Sequence, residues 1–114
     1  MTEATIERLM SELKENYRGA ATAKDGALML VRLPDVHFPP GCQPASTEAL
    51  VVLDPAKAKP DFYIRVIPST RGSQPQHGTA VVGGDNWCSF SYNLRWTEDH
   101  TAVQLVEGML RRFA

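Results

Sequence analysis

The residues of this chain best suited to chemistry lie close together, in the stretch His77-Gly78-Thr79-Ala80-Val81-Val82-Gly83-Gly84-Asp85-Asn86-Trp87-Cys88. A thiolate is a strong nucleophile and also leaves readily, so Cys88 is the side chain here best suited to nucleophilic chemistry. Near neutral pH that requires partial exposure and nearby hydrogen-bond donors. His77, Asn86 and the N–H groups around Gly83-Gly84 are the candidates available. Asp85 suits a different task, accepting or orienting a proton, because its negative charge would not lower a thiol pKa. The catalytic candidates are therefore Cys88, His77, Asn86 and Asp85.

Each has a plainer structural reading. A cysteine flanked by Trp87 and Phe90 is equally a small buried apolar residue, and His77 can simply tie its loop down. Trp87 and Trp96 read as core or loop anchors. Gly83-Gly84 is a turn rather than a phosphate cradle, because no helix follows directly. His100 falls in the first turn of a C-terminal helix, where a solvated position is the default. Cys42 lies in a proline loop, with no evident partner. The Cys42, Cys88 and histidine spacings match no zinc pattern, so neither a metal nor a cofactor is expected. Two cysteines make no disulfide framework, and both are read as free thiols, with a single Cys42–Cys88 bridge left open.

Composition narrows the classes. A chain of 114 residues with 43% hydrophobic content can bury one core, so one domain over residues 1–114 is expected. Twelve basic and thirteen acidic side chains give a net charge of -1, and no basic run is present to neutralise phosphates, which argues against nucleic acid as a partner. The apolar run Ala27 to Val31 is too short for a bilayer, and no secretory signal pattern opens the chain. A cytoplasmic protein without a membrane partner is expected.

The elements that must position the candidates follow from periodicity. Ile6, Leu9, Met10, Leu13 and Tyr17 form a helical stripe over residues 3 to 17, with Thr2 as cap and Gly19 as stop. Ala27 to Leu33 reads as a strand ended by Pro34, Ala49 to Leu53 as a second, and Asp61 to Ile67 as a third ended by Pro68. Connections this short imply an antiparallel meander. The segment between, His37-Phe38-Pro39-Pro40-Gly41-Cys42-Gln43-Pro44, is a loop with fixed φ at several positions. Ala80 to Val82 reads as one further short strand. Ala102, Leu105, Val106, Met109, Leu110 and Phe113 recur at helical spacing, with Glu98 and Asp99 at the start and Arg111 and Arg112 at the end. Gly108 within that helix marks a close approach, expected to be to the sheet.

Helix, antiparallel meander, a long loop carrying a histidine and then a cysteine, a tryptophan, and a crossover helix: this order resembles the ubiquitin-conjugating enzyme fold. His77-Gly78-Thr79 sits where that family has a His-Pro-Asn tripeptide, Gly83-Gly84 makes the turn, and Cys88 takes the position of the catalytic cysteine. Trp96-Thr97-Glu98-Asp99-His100-Thr101 matches the tryptophan-to-threonine segment before the crossover helix. Lys57-Ala58-Lys59-Pro60-Asp61-Phe62-Tyr63 looks like the proline-bearing approach to the third strand. Pro39-Pro40-Gly41, Pro60-Asp61-Phe62-Tyr63, Trp87, Ser91 and Trp96 look closer still to prokaryotic members encoded with ubiquitin-like pathways.

The resemblance implies an α+β fold with an N-terminal helix, meander sheet, active-site loop and C-terminal crossover helix, lacking the family's further C-terminal helices. It implies a bacterial enzyme that accepts a ubiquitin-like protein as a thioester on Cys88 from a ubiquitin-activating-type enzyme and passes it to an amine. Thr79 replaces the family's oxyanion-stabilising asparagine, Ser89 stands where leucine is usual, and no acidic residue follows the crossover helix to orient a lysine. These departures keep a second expectation open, a catalytically inactive module that binds the ubiquitin-like protein or its activating enzyme. A cysteine hydrolase pairing Cys88 with His77 or His100 is disfavoured, since no third orienting residue stands at a motif spacing.

Overall fold

The structure, a computed structural model, describes residues 1–114. Helix α1 spans Glu3–Asn16, and Thr2 caps it by accepting the Thr5 N–H at 3.2 Å. The expected stripe faces inward: Ile6, Leu9 and Leu13 are buried, and Met10 and Tyr17 pack at its margin. Six antiparallel strands follow, β1 (Ala21–Asp25), β2 (Leu28–His37), β3 (Ser46–Leu53), β4 (Asp61–Ile64), β5 (His77–Val82) and β6 (Asp85–Phe90), in the order β1-β2-β3-β4-β6-β5. Helix α2 (Ala102–Leu110) and one 3-10 turn (Arg111–Phe113) complete the chain.

The meander is present, but β3 begins three residues before the expected Ala49, β5 begins at His77 and not Ala80, β6 is an additional strand, and three further departures concern β1, β2 and β4. Strand β1 was not foreseen, because all of its residues are exposed and carry no alternation of apolar and polar side chains. Pro34 does not end β2. The strand runs through it to His37, and the register with β3 shifts between Leu33 and Val36. The additional residue forms a bulge, the one place inside a strand where a missing N–H is tolerated. Strand β4 stops at Ile64 instead of Ile67, although the Arg65 N–H still reaches the Glu48 carbonyl at 2.9 Å.

Alternation along the strands builds two layers. Val31 and Leu33, Ala49 and Val51, Phe62 and Ile64, and Phe90 face α1 and α2 and form one core with them. Phe113 closes its end, with its ring 5.4 Å from Phe38 and 4.9 Å from Phe90. Leu30, Leu50, Val52 and Trp87 make a smaller cluster on the opposite face.

The start of α2 lies later than Glu98 and Asp99 suggested. Thr101 is the N-cap and forms a reciprocal capping box with Gln104. Glu12 of α1 accepts the Ala102 N–H at 2.7 Å, and Arg8 donates to the carbonyls of Glu98 and His100 at 2.8 and 3.2 Å, so α1 positions the entry to α2. Burial pushes the Glu12 carboxyl up, but the Ala102 N–H and Arg8 outweigh it and leave the group below its usual range. Gly108 does mark a close approach, though to Leu94 of the preceding loop and not to the sheet: a Cβ there would lie 2.9 Å from Leu94 Cδ1.

Candidate functional site

The expected active-site loop is a hairpin. Val82 pairs with Asp85 across Gly83-Gly84, whose φ angles of 59° and 78° are those of a two-residue primed turn. Glycine reaches this conformation without penalty. Cys88 therefore lies inside β6, opposite Thr79 of β5 on one side and Ile64 of β4 on the other. The misreading has a local cause: β6 is short, and Trp87, Cys88 and Phe90 serve two different faces, which hides the strand period.

Cys88 is half-buried against the main core, and its thiol donates to the Arg65 carbonyl at 3.4 Å. Thr79 is its direct cross-strand neighbour, and His77, opposite Phe90, is its diagonal neighbour on the same face. The His77 ring is turned to the backbone, with Nδ1 3.1 Å from the Pro75 carbonyl. Asn86 shares the face of Cys88 by alternation and is exposed. The N–H groups of Gly83-Gly84 stand four residues up the strand from Cys88, roughly 13 Å at the usual rise. They do not reach the thiol.

Asp85 lies on the other face. Its carboxylate accepts from Arg65 at 2.9 Å and from Arg32 at 3.1 Å, and from the Asn86 N–H at 2.8 Å. The Arg65 hydrogen bond, the Asn86 N–H and the charge of Arg32 hold its carboxyl down to about 2. The sheet thus brings Cys88, Thr79, His77 and Asn86 to one face and separates Asp85 from them.

Around Asp85 stands a group that the sequence reading did not assemble. Arg65 also donates to Glu48 and lies with its guanidinium 4.0 Å from the centre of the Trp87 ring. Arg32 lies 5.6 Å from the same ring. Hydrogen bonds from Arg65 to Asp85 and to Glu48 push the guanidinium pKa further up. Two cations and two carboxylates thereby cover the fully buried indole. A groove of about 260 Å³ beside them is lined by Thr22, Leu30, Arg32, Leu50, Gly83 and Trp87, among others. One signal in the sequence pointed here: Arg32 and Glu48 occupy outward positions of β2 and β3, and Arg65 directly follows β4, so the charge alternates from one segment to the next.

The remaining chemistry-bearing residues are structural. Cys42 is buried and donates to the Phe113 carbonyl at 3.3 Å, and burial pushes its thiol pKa up. Both cysteines are free. His100 precedes α2 instead of lying in its first turn. Its ring stacks on Trp96 at 5.5 Å, and its Nδ1 accepts the Thr97 N–H at 2.9 Å. No three His, Cys, Asp or Glu side chains converge in a way that could hold a metal ion. No helix is long and apolar enough to cross a membrane.

No protein-family model, curated protein or solved structure matches the chain. What is established is an α+β fold with an N-terminal helix, a six-stranded antiparallel sheet and a C-terminal helix.

Proposed function

We propose that this chain is a ubiquitin-conjugating-enzyme-like binding module, engaging a ubiquitin-like protein or its activating enzyme without carrying the modifier on Cys88. The observation that carries this reading is the setting of Cys88 within a paired strand, its thiol bonded to the Arg65 carbonyl. Two of the groups that would have to assist it are engaged elsewhere: His77 faces Pro75, and Asp85 is held by two arginines on the other face. Thr79, where the resembled family has asparagine, is the nearest cross-strand side chain. The family assignment itself rests on the order of elements and on the Trp96-to-Thr101 and Pro60-to-Tyr63 motifs.

One observation favours the conjugating reading, transfer of a ubiquitin-like protein through a Cys88 thioester. Of the two thiols, Cys88 alone is partly exposed, and it lies one strand from the free edge of the sheet. The deciding experiment incubates the chain and Cys88→Ala with ATP, a ubiquitin-activating-type enzyme and its ubiquitin-like protein. Binding to either partner that survives Cys88→Ala, with no reductant-sensitive adduct on the parent chain, is the expected result. An adduct removed by reductant and absent from Cys88→Ala overturns the binding-module reading and establishes the thioester.

A further inference from the structure

The free edge of β5 is a built pairing surface, and the hairpin fixes which of its groups are free. Val82 and Asp85 flank a two-residue turn, so they exchange both of their backbone hydrogen bonds, and the bonded pairs then alternate through Ala80 with Trp87 and Gly78 with Ser89. The Ser91 N–H, 2.8 Å from the Gln76 carbonyl, continues the series. His77, Thr79 and Val81 therefore direct N–H and C=O away from β6, and β5 has no neighbour on that side.

An open edge of this kind is usually defended by charge, proline or a covering element. Strand β5 has none of these: His77-Gly78-Thr79-Ala80-Val81-Val82 contains no Lys, Arg, Asp, Glu or Pro, and Val81 is 73% exposed. The opposite edge differs, since β1 carries Lys24 and Asp25.

We propose that β5 pairs antiparallel with β5 of a second copy of this chain, extending the sheet across a twofold axis at Thr79. Only residues that face outward can bond, so Thr79 meets Thr79, and His77 meets Val81 of the other copy. Three outward residues from each copy, each giving one N–H and accepting at one C=O, then satisfy one another completely. Between them Gly78 faces Ala80, small residues at the closely spaced positions. The composition of β5 admits this occupant. A strand without Lys, Arg, Asp or Glu brings no like charges together when it meets itself, and a Thr–Thr pair on the axis is favourable. One strand edge buries less than the roughly 1,200 Å² of a stable interface. The dimer is therefore weak and populated only at high protein concentration.

Sedimentation velocity from low micromolar to near-millimolar protein tests this. The expected result is a mass rising from that of the 12.6 kDa chain toward twice that value. Val81→Lys places a charge on the edge, and Thr79→Pro removes an outward N–H without touching the β5–β6 ladder. Each weakens association by roughly tenfold or more, with an unchanged far-ultraviolet spectrum. Thr22→Pro, the equivalent change on the β1 edge, leaves association unaltered. A chain that stays monomeric throughout overturns the proposal and leaves the edge to a strand from a different protein. So does a dimer insensitive to Val81→Lys, a surface change that the fold tolerates, or one broken by Thr22→Pro instead.

Discussion

Val31, Val51 and Ile64 lie beneath α1 and α2, while on the reverse of the same three strands Arg32, Glu48 and Arg65 gather around Trp87. The first face is closed by two helices, and there almost every side chain is apolar and fully buried. The second has no helix. Its cover is the turn of the β5–β6 hairpin, which approaches Leu30 closely enough that a Cβ on Gly83 would lie 2.7 Å from Leu30 Cδ1. That cover is partial, so the remaining surface of the indole is shielded by guanidinium planes and arginine stems whose charges stay in reach of water. A buried core tolerates no such charges, because desolvation would outweigh their pairing. The comparison shows how one sheet can bury a large aromatic residue on each side by two means, set by whether a helix is available to cover it.

Changes to the two faces should separate in size. Phe113→Ala on the helix-covered face removes a fully buried ring contacting Phe38 and Phe90, and should cost about 3–5 kcal/mol in urea unfolding. A much smaller loss would mean that this end of the core is loosely packed. Gly83→Ala combines a φ of 59° with the contact on Leu30, and should cost about 2 kcal/mol, measured in the same way. An unaffected variant would mean that the hairpin does not seal the open face.

Arg65→Ala should cost about 1–2 kcal/mol, mainly through lost cover on Trp87, and should change the tryptophan fluorescence. If Arg65→Met recovers most of that loss, packing of the stem outweighs the ion pairs. The smallest effect is acidic. The Asp85 carboxyl is lowered from 3.8 to about 2 in the folded chain, so its contribution is complete above the unfolded value and is lost as pH falls through the folded one. Thermal unfolding between those two values should therefore show an acid-side decline that Asp85→Asn flattens. A carboxyl titration midpoint near 3.8 would break the assignment of Arg65 as its partner.

Local patterns carried much of this fold. The stripes Ile6, Leu9, Leu13 and Ala102, Leu105, Val106, Met109 are periodic enough to specify both helices, and Gly83-Gly84 specifies its turn. The β6 strand and the β1 edge were not legible, the one because it serves two faces, the other because it serves none. Pro34 read as a stop because a bulge depends on the partner strand, which the local sequence does not contain.

The same division holds for the candidate site. Residue types and spacing singled out Cys88, His77, Asn86 and Asp85, since chemistry of side chains is written in the sequence. Which of them meet was decided by strand register: a period of two sends Asp85 to Arg32 and Arg65 on one face, and Cys88 to Thr79 and the core on the other. Helices are fixed by contacts three and four residues apart, within reach of a local reading. The arginine cluster over Trp87 joins residues from β2, β3 and β6 with Arg65, which directly follows β4, and only the folded sheet brings those segments side by side.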